Sequence, residues 1–193
     1  MAADTKGTDC APDVSHTKGI ASLLTGLSSS TSPPKFYIHT SGAARVWDAP
    51  DGSTPGRVWD DIADFDSFPT AATHAAEDTQ VFSSASPTLH TAIVSPGFVV
   101  GRSPSRTHTA PIIFPYLLRG VRNIGGGFVS GEGKNVTAFV DNAVLAQIYV
   151  ALVTDALRIL EGGEVNDVGN DQRASPRPWS ASNRVGIHYR QRP

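Results

Sequence analysis

Apolar positions recur at helical spacing in three stretches of the chain and form short continuous runs in two others. Ile20, Leu23, Leu24 and Leu27 stand at i, i+3, i+4 and i+7, which predicts a helix over Ser15–Leu27. Asp13 or Ser15 can cap it, and the Ser/Thr/Pro cluster from Ser28 to Pro34 ends it. A second helix is expected after Pro111, with Ile112, Ile113, Leu117, Leu118 and Val121 on its apolar face, Pro115 straining its first turns and Gly125-Gly126-Gly127 stopping it. The clearest helix runs from Asp141, a good N-cap, to Leu160, along Val144, Leu145, Ile148, Leu152, Ala156 and Ile159, with Gly162-Gly163 as its stop. Phe36–His39 and Thr91–Val94 are short apolar, β-prone runs ending in turn residues, and they read as buried strands. Val81 and Phe82 end a short helix or strand. Phe128-Val129 and Val136–Val140 flank Gly131-Glu132-Gly133-Lys134, which suggests a small hairpin or loop pair.

Between these elements the patterning fades. Gly42–Asp78 carries Pro50, Pro55 and Pro69 and reads as a long loop, as does Arg102–Thr109. From Glu164 onward prolines, polar residues and arginines replace any apolar period, so 164–193 is expected to be a disordered tail and 1–163 the folded domain. Two buried strands with helices between them imply an α/β fold with parallel pairing, in which Phe36–His39 and Thr91–Val94 lie side by side with the Ile20 and Asp141 helices packed near them. Two strands are too few for a stable sheet, so more chain or a partner is expected to complete it.

Composition narrows the function classes. A formal net charge of −2 lacks the basic excess of a nucleic-acid binder. No basic-then-apolar leader opens the chain, and no apolar run was found that approaches the roughly 20 residues of a bilayer span. A lone cysteine, Cys10, excludes an intrachain disulfide and fits a reducing compartment. A cytoplasmic protein without nucleic-acid or membrane partners is the expectation. Charge is uneven: Asp48 to Asp78 holds eight acids against Arg57 alone, read as an acidic surface loop, and five arginines with no acid follow Asp171. His39, His74, His90 and His108 do not fall at metal-ligand spacings, so no metal site is expected. Ser41 with one of these histidines and an acid has the residue types of a hydrolase triad, but no G-x-S-x-G elbow accompanies it.

The order of several short motifs carries a resemblance. His39-Thr40-Ser41-Gly42 follows the first strand; then come Arg57-Val58-Trp59-Asp60-Asp61, Thr91-Ala92-Ile93-Val94-Ser95-Pro96, Gly131-Glu132-Gly133-Lys134-Asn135-Val136, and Phe139-Val140-Asp141-Asn142 opening the long helix. Over roughly 12–163 this resembles the NAD(P)-dependent epimerase/dehydratase family of fungal type, within the atypical extended short-chain dehydrogenases. The resemblance implies a partial Rossmann-like fold that begins after the fourth strand, so that the nucleotide-binding N-terminal half is missing. It implies NAD or NADP as cofactor and a small organic metabolite of secondary metabolism as substrate. By the same resemblance Thr40 and Ser41 are the catalytic candidates, and Pro96 and Gly97 the cofactor-facing turn. The sequence departs from the family's pattern in two places: no glycine-rich turn follows a strand, and no Tyr-x-x-x-Lys pair is present. A non-catalytic dinucleotide-sensing or regulatory relative, or an inactive fragment, is the alternative. A second copy or a partner chain would complete the fold.

Overall fold

In a computed structural model of the chain, residues 16–29, 34–60, 63–104, 107, 110–161 and 186–190 are described. Helix α1 spans Thr17–Ser29, strand β1 Lys35–Thr40, helix α2 Ala75–Ser83, strand β2 Leu89–Ser95, strand β3 Phe98–Val100, helix α3 Ile113–Ile124, strand β4 Phe139–Asp141, helix α4 Asn142–Leu160 and strand β5 Gly186–Arg190. Strands β1 and β2 pair in parallel, with Lys35 opposite Leu89 and Thr40 opposite Val94, as the two apolar runs predict. A parallel pair needs a crossover, and the one here carries α2.

Helices cover both faces of this pair. Side chains alternate across a strand, so Tyr37, Leu89 and Ile93 turn to one face. There they pack with Ile20 and Leu24 of α1 and Val81 and Phe82 of α2. Phe36, Ile38, Ala92 and Val94 turn to the other face and meet Leu152 and Ala156 of α4. Each fully buried aliphatic side chain in these layers contributes roughly 1.5–3 kcal/mol of transfer free energy. Helix α4 is long and apolar enough, by length and composition, to cross a membrane, which revises the expectation that no such run exists. In this fold its Leu152 and Ala156 side cover the sheet.

Helix ends follow the expected chemistry. The Asp141 side chain accepts from Ala143 N at 2.8 Å, capping α4. Gly125 closes α3 in the left-handed region at φ 77°.

Four expectations are corrected. Strand β5 pairs antiparallel with β2, giving the order β1-β2-β5, so 186–190 form a strand where a disordered tail was expected; the rest of 164–193, and the expected helix stop Gly162-Gly163, lie outside the described residues. The segment read as a loop up to Asp78 already enters α2 at Ala75, and Glu77 and Asp78 are buried rather than part of an acidic surface. The expected hairpin around Gly131 does not form; β4 pairs instead with β3, in parallel, Phe98 opposite Phe139.

The glycine-rich turn docks on the acidic segment far upstream. Lys134 N donates to Gly52 O at 3.1 Å, Asn135 Nδ2 to Ala49 O at 2.7 Å and Val136 N to Asp48 Oδ2 at 3.0 Å. Only glycine permits this approach. Gly52 sits at φ 65°, and a Cβ there would lie 1.8 Å from the Ser130 carbonyl oxygen. Gly131 sits at φ 50°, and its Cβ would lie 1.9 Å from the Asp51 carbonyl oxygen.

Candidate functional site

The four residues singled out in the sequence meet at the carboxyl ends of β1 and β2. Thr40 ends β1 and Ser41 follows it. Ser41 N donates to Val94 O at 2.8 Å, and Ala43 N donates to Pro96 O at 2.9 Å, so the two strand ends leave the sheet side by side. In open α/β sheets this rim is where ligands bind.

Thr40 and Ser41 then diverge, because neighbouring residues on a strand point to opposite faces. Thr40 shares the α4 face with Phe36 and Ile38. Its hydroxyl is hydrogen-bonded to the phenol of Tyr149 on α4. Ser41 shares the α2 face with Tyr37 and His39. It is 3 % exposed, and its hydroxyl has no hydrogen-bond partner. Continuing the β1–β2 register sets Ser95 beside it, also buried and with an unpartnered hydroxyl. An unpartnered buried hydroxyl costs roughly 1–3 kcal/mol, and the Thr91 hydroxyl, further back on the same face of β2, is also buried without a partner among the described residues.

Pro96 and Gly97 form the turn that joins β2 to β3. Pro96 is buried. Gly97 lacks a side chain because the chain from β4 crosses against it: a Cβ would lie 2.3 Å from the Ala138 carbonyl oxygen, and Phe98 N donates to that same oxygen at 2.9 Å. Packing accounts for this glycine, and it shapes the site by sending the chain from β2 into β3.

A buried charged group supports the Ser41 side. Asp78 on α2 is 1 % exposed, and Arg45 Nη1 donates to its Oδ2 at 3.1 Å. Arg45 also lies over the Phe68 ring, 5.7 Å from its centroid. His39 Nε2 stands 4.0 Å from Asp78 Oδ1, too far for a hydrogen bond. His74, just before α2, packs its ring against Gly42, where a Cβ would lie 3.2 Å from His74 Nε2. His74 takes φ 70°, which among the described non-glycine residues is unique, and its Nδ1 is buried without a partner. Backbone held in a sparsely populated region gathers at functional sites.

At the amino end of β2, away from the site, burial holds the His90 imidazole below its ordinary pKa of 6.5. On the remote acidic segment, hydrogen bonds from the Ser53 backbone and then the Ser53 hydroxyl lower the Asp51 carboxyl. Among the described residues no group of three or more His, Cys, Asp or Glu could hold a metal ion. Asp141, the family-like aspartate, serves as the cap of α4.

Tyr149 and the Arg45–Asp78 pair escaped sequence reasoning, and His74 was visible there only as one of four histidines without metal-ligand spacing. Tyr149 had one legible signal: it lies between Leu145 and Leu152 on the apolar stripe of α4, four residues from one and three from the other, and carries a hydroxyl into a buried face. No protein-family model, curated protein or solved structure matches the chain.

Proposed function

We propose that this chain forms the substrate- and nicotinamide-facing side of an NAD(P)-dependent oxidoreductase or epimerase that acts on a small organic metabolite. The observation that carries the reading is the hydrogen bond between Thr40 and Tyr149 at the carboxyl end of a parallel strand pair. Carbonyl–alcohol chemistry needs a hydroxyl that can give a proton to the substrate oxygen, and a second group to hold it in place. Tyr149 is suited to the first role and Thr40 to the second, although the tyrosine comes from a helix that the Tyr-x-x-x-Lys pattern would not indicate.

The cofactor fits in part. At the strand ends the Thr40 and Tyr149 hydroxyls offer polar partners for a nicotinamide. The sequence holds no glycine-rich turn between a strand and a helix for the pyrophosphate. The nicotinamide, when bound, supplies hydride transfer. Thr40 and Tyr149 would face it at the strand ends, and the apolar layer around Val94, on the same face of the sheet, would keep water away.

The reading predicts weak binding by this chain alone, with a dissociation constant of order millimolar, equivalent to roughly 4 kcal/mol. In NMR titrations, NADH is expected to shift the amide resonances of Thr40, Ser41, Ser95 and Gly97, and Tyr149→Phe to reduce those shifts. Adenosine diphosphate should leave them in place. Equal shifts from the diphosphate, or none from NADH, would sink the proposal.

A further inference from the structure

Helix α3 is amphipathic, yet none of its residues is buried. At 100° per residue, Ile113, Phe114, Leu117, Leu118, Val121 and Ile124 share one arc of roughly 140°, with Arg119, Arg122 and Asn123 opposite. In a folded domain such an arc faces the core. Here Phe114 is 45 % exposed, Leu118 55 % and Ile124 64 %. Phe128 lies against Gly120, where a Cβ would be 3.3 Å from its ring, and widens the apolar surface. Exposed Ile112 and Val129 extend it at either end.

The charge that α3 itself carries has one sign. No acidic residue stands between Asp78 and Glu132, whereas Arg102, Arg106, Arg119 and Arg122 do. Arg119 and Arg122 are exposed and form no ion pair among the described residues. A helix with arginines on one side, and leucine, isoleucine and phenylalanine on the other, is suited to lie in the plane of a membrane interface.

We infer that α3 is a docking helix for an anionic lipid surface, seating its apolar arc among the acyl chains and its arginines among the headgroups. This inference is independent of what binds at the strand ends. It replaces the expectation of no membrane partner with peripheral contact through α3.

Sedimentation of the full chain with vesicles tests it. The chain should sediment with vesicles of phosphatidylcholine containing about a third phosphatidylserine, and not with phosphatidylcholine alone. Replacing both arginines (R119Q/R122Q) should lower partitioning about 30-fold, at about a factor of five for each surface charge. L117S/L118S should lower it more than tenfold. All four side chains are exposed, so both variants should keep the wild-type circular dichroism spectrum. Equal binding to both vesicle types, no binding to either, or binding unchanged in either variant overturns the inference. A lipid-free dimer abolished by L117S/L118S also overturns it and assigns the surface to a second copy.

Discussion

Removing the Asp78 carboxylate should destabilise the domain more than removing any surface acid. In the wild-type chain Asp78 and Arg45 neutralise each other at 3.1 Å, with side-chain exposures of 2 % and 13 %. Asp78→Ala leaves the guanidinium beside the core with only the Ala75 carbonyl, 3.4 Å away, and the face of Phe68. Breaking a buried pair from one side costs roughly 3–5 kcal/mol, because the remaining charge is uncompensated. Arg45 keeps a path to water, so the lower end, about 3 kcal/mol, is expected here.

Urea unfolding followed by circular dichroism measures this, provided the slope with denaturant is unchanged. The exposed Asp66→Ala serves as control and should fall within about 0.5 kcal/mol of wild type. The double variant R45M/D78L is the sharper test. With both charges gone and volume kept, it should recover most of the loss and lie within about 1 kcal/mol of wild type. If Asp78→Ala costs less than about 1 kcal/mol, or the double variant is as unstable as the single, the pair does not act as a buried charge pair.

Two further perturbations probe other parts of the fold. Gly52→Ala and Gly131→Ala should each cost about 2–4 kcal/mol, through left-handed strain and collision with a carbonyl oxygen. Gly126→Ala, which has open space around it, should be nearly neutral; thermal unfolding that finds all three alike would refute the docking of the two loops. His90 gives a pH dependence of definite sign. Its folded pKa is lowered from 6.5 by burial, so as pH falls below 6.5 the unfolded chain takes the proton first. Stability therefore drops through that window and levels off below the folded value. The urea midpoint should decline between about pH 7 and pH 5, and His90→Gln should flatten the decline; a midpoint that rises on acidification contradicts the assignment.

What the sequence made legible was burial along a local axis. The spacing of Ile20, Leu24 and Leu27, of Leu117 and Val121, and of Leu145 to Ala156 located three helices. The two unbroken apolar runs located a parallel pair. Asp141 and Gly125 marked helix ends because capping is a matter between near neighbours. Long-range pairing was not legible. Strands β3 and β4 are three residues each, too short for an alternation to register. Asn135 finds Ala49 across 86 positions, and Thr40 finds Tyr149 across 109. Periodicity reports which side of an element is covered and is silent about what covers it.

The same limit explains why Glu77 and Asp78 were misplaced among the surface acids. Composition assigned them to water, since acidic residues are rarely buried unless paired. Their partners, Thr17 at 2.6 Å and Arg45 at 3.1 Å, lie sixty and thirty-three positions away. Once those contacts exist, the first turn of α2 can enter the core with its charge satisfied, and α2 can close over β1 and β2. That closure buries Ser41 and Ser95 without giving their hydroxyls a partner. The sheet interior is therefore apolar around Ile93 and Val94 and polar at the carboxyl rim, where Thr40 and Tyr149 meet. A fold selected for stability alone would place alanine at positions 41 and 95, avoiding roughly 1–3 kcal/mol for each stranded hydroxyl. Ser41→Ala and Ser95→Ala are therefore expected to leave stability unchanged or raise it, which denaturant unfolding checks.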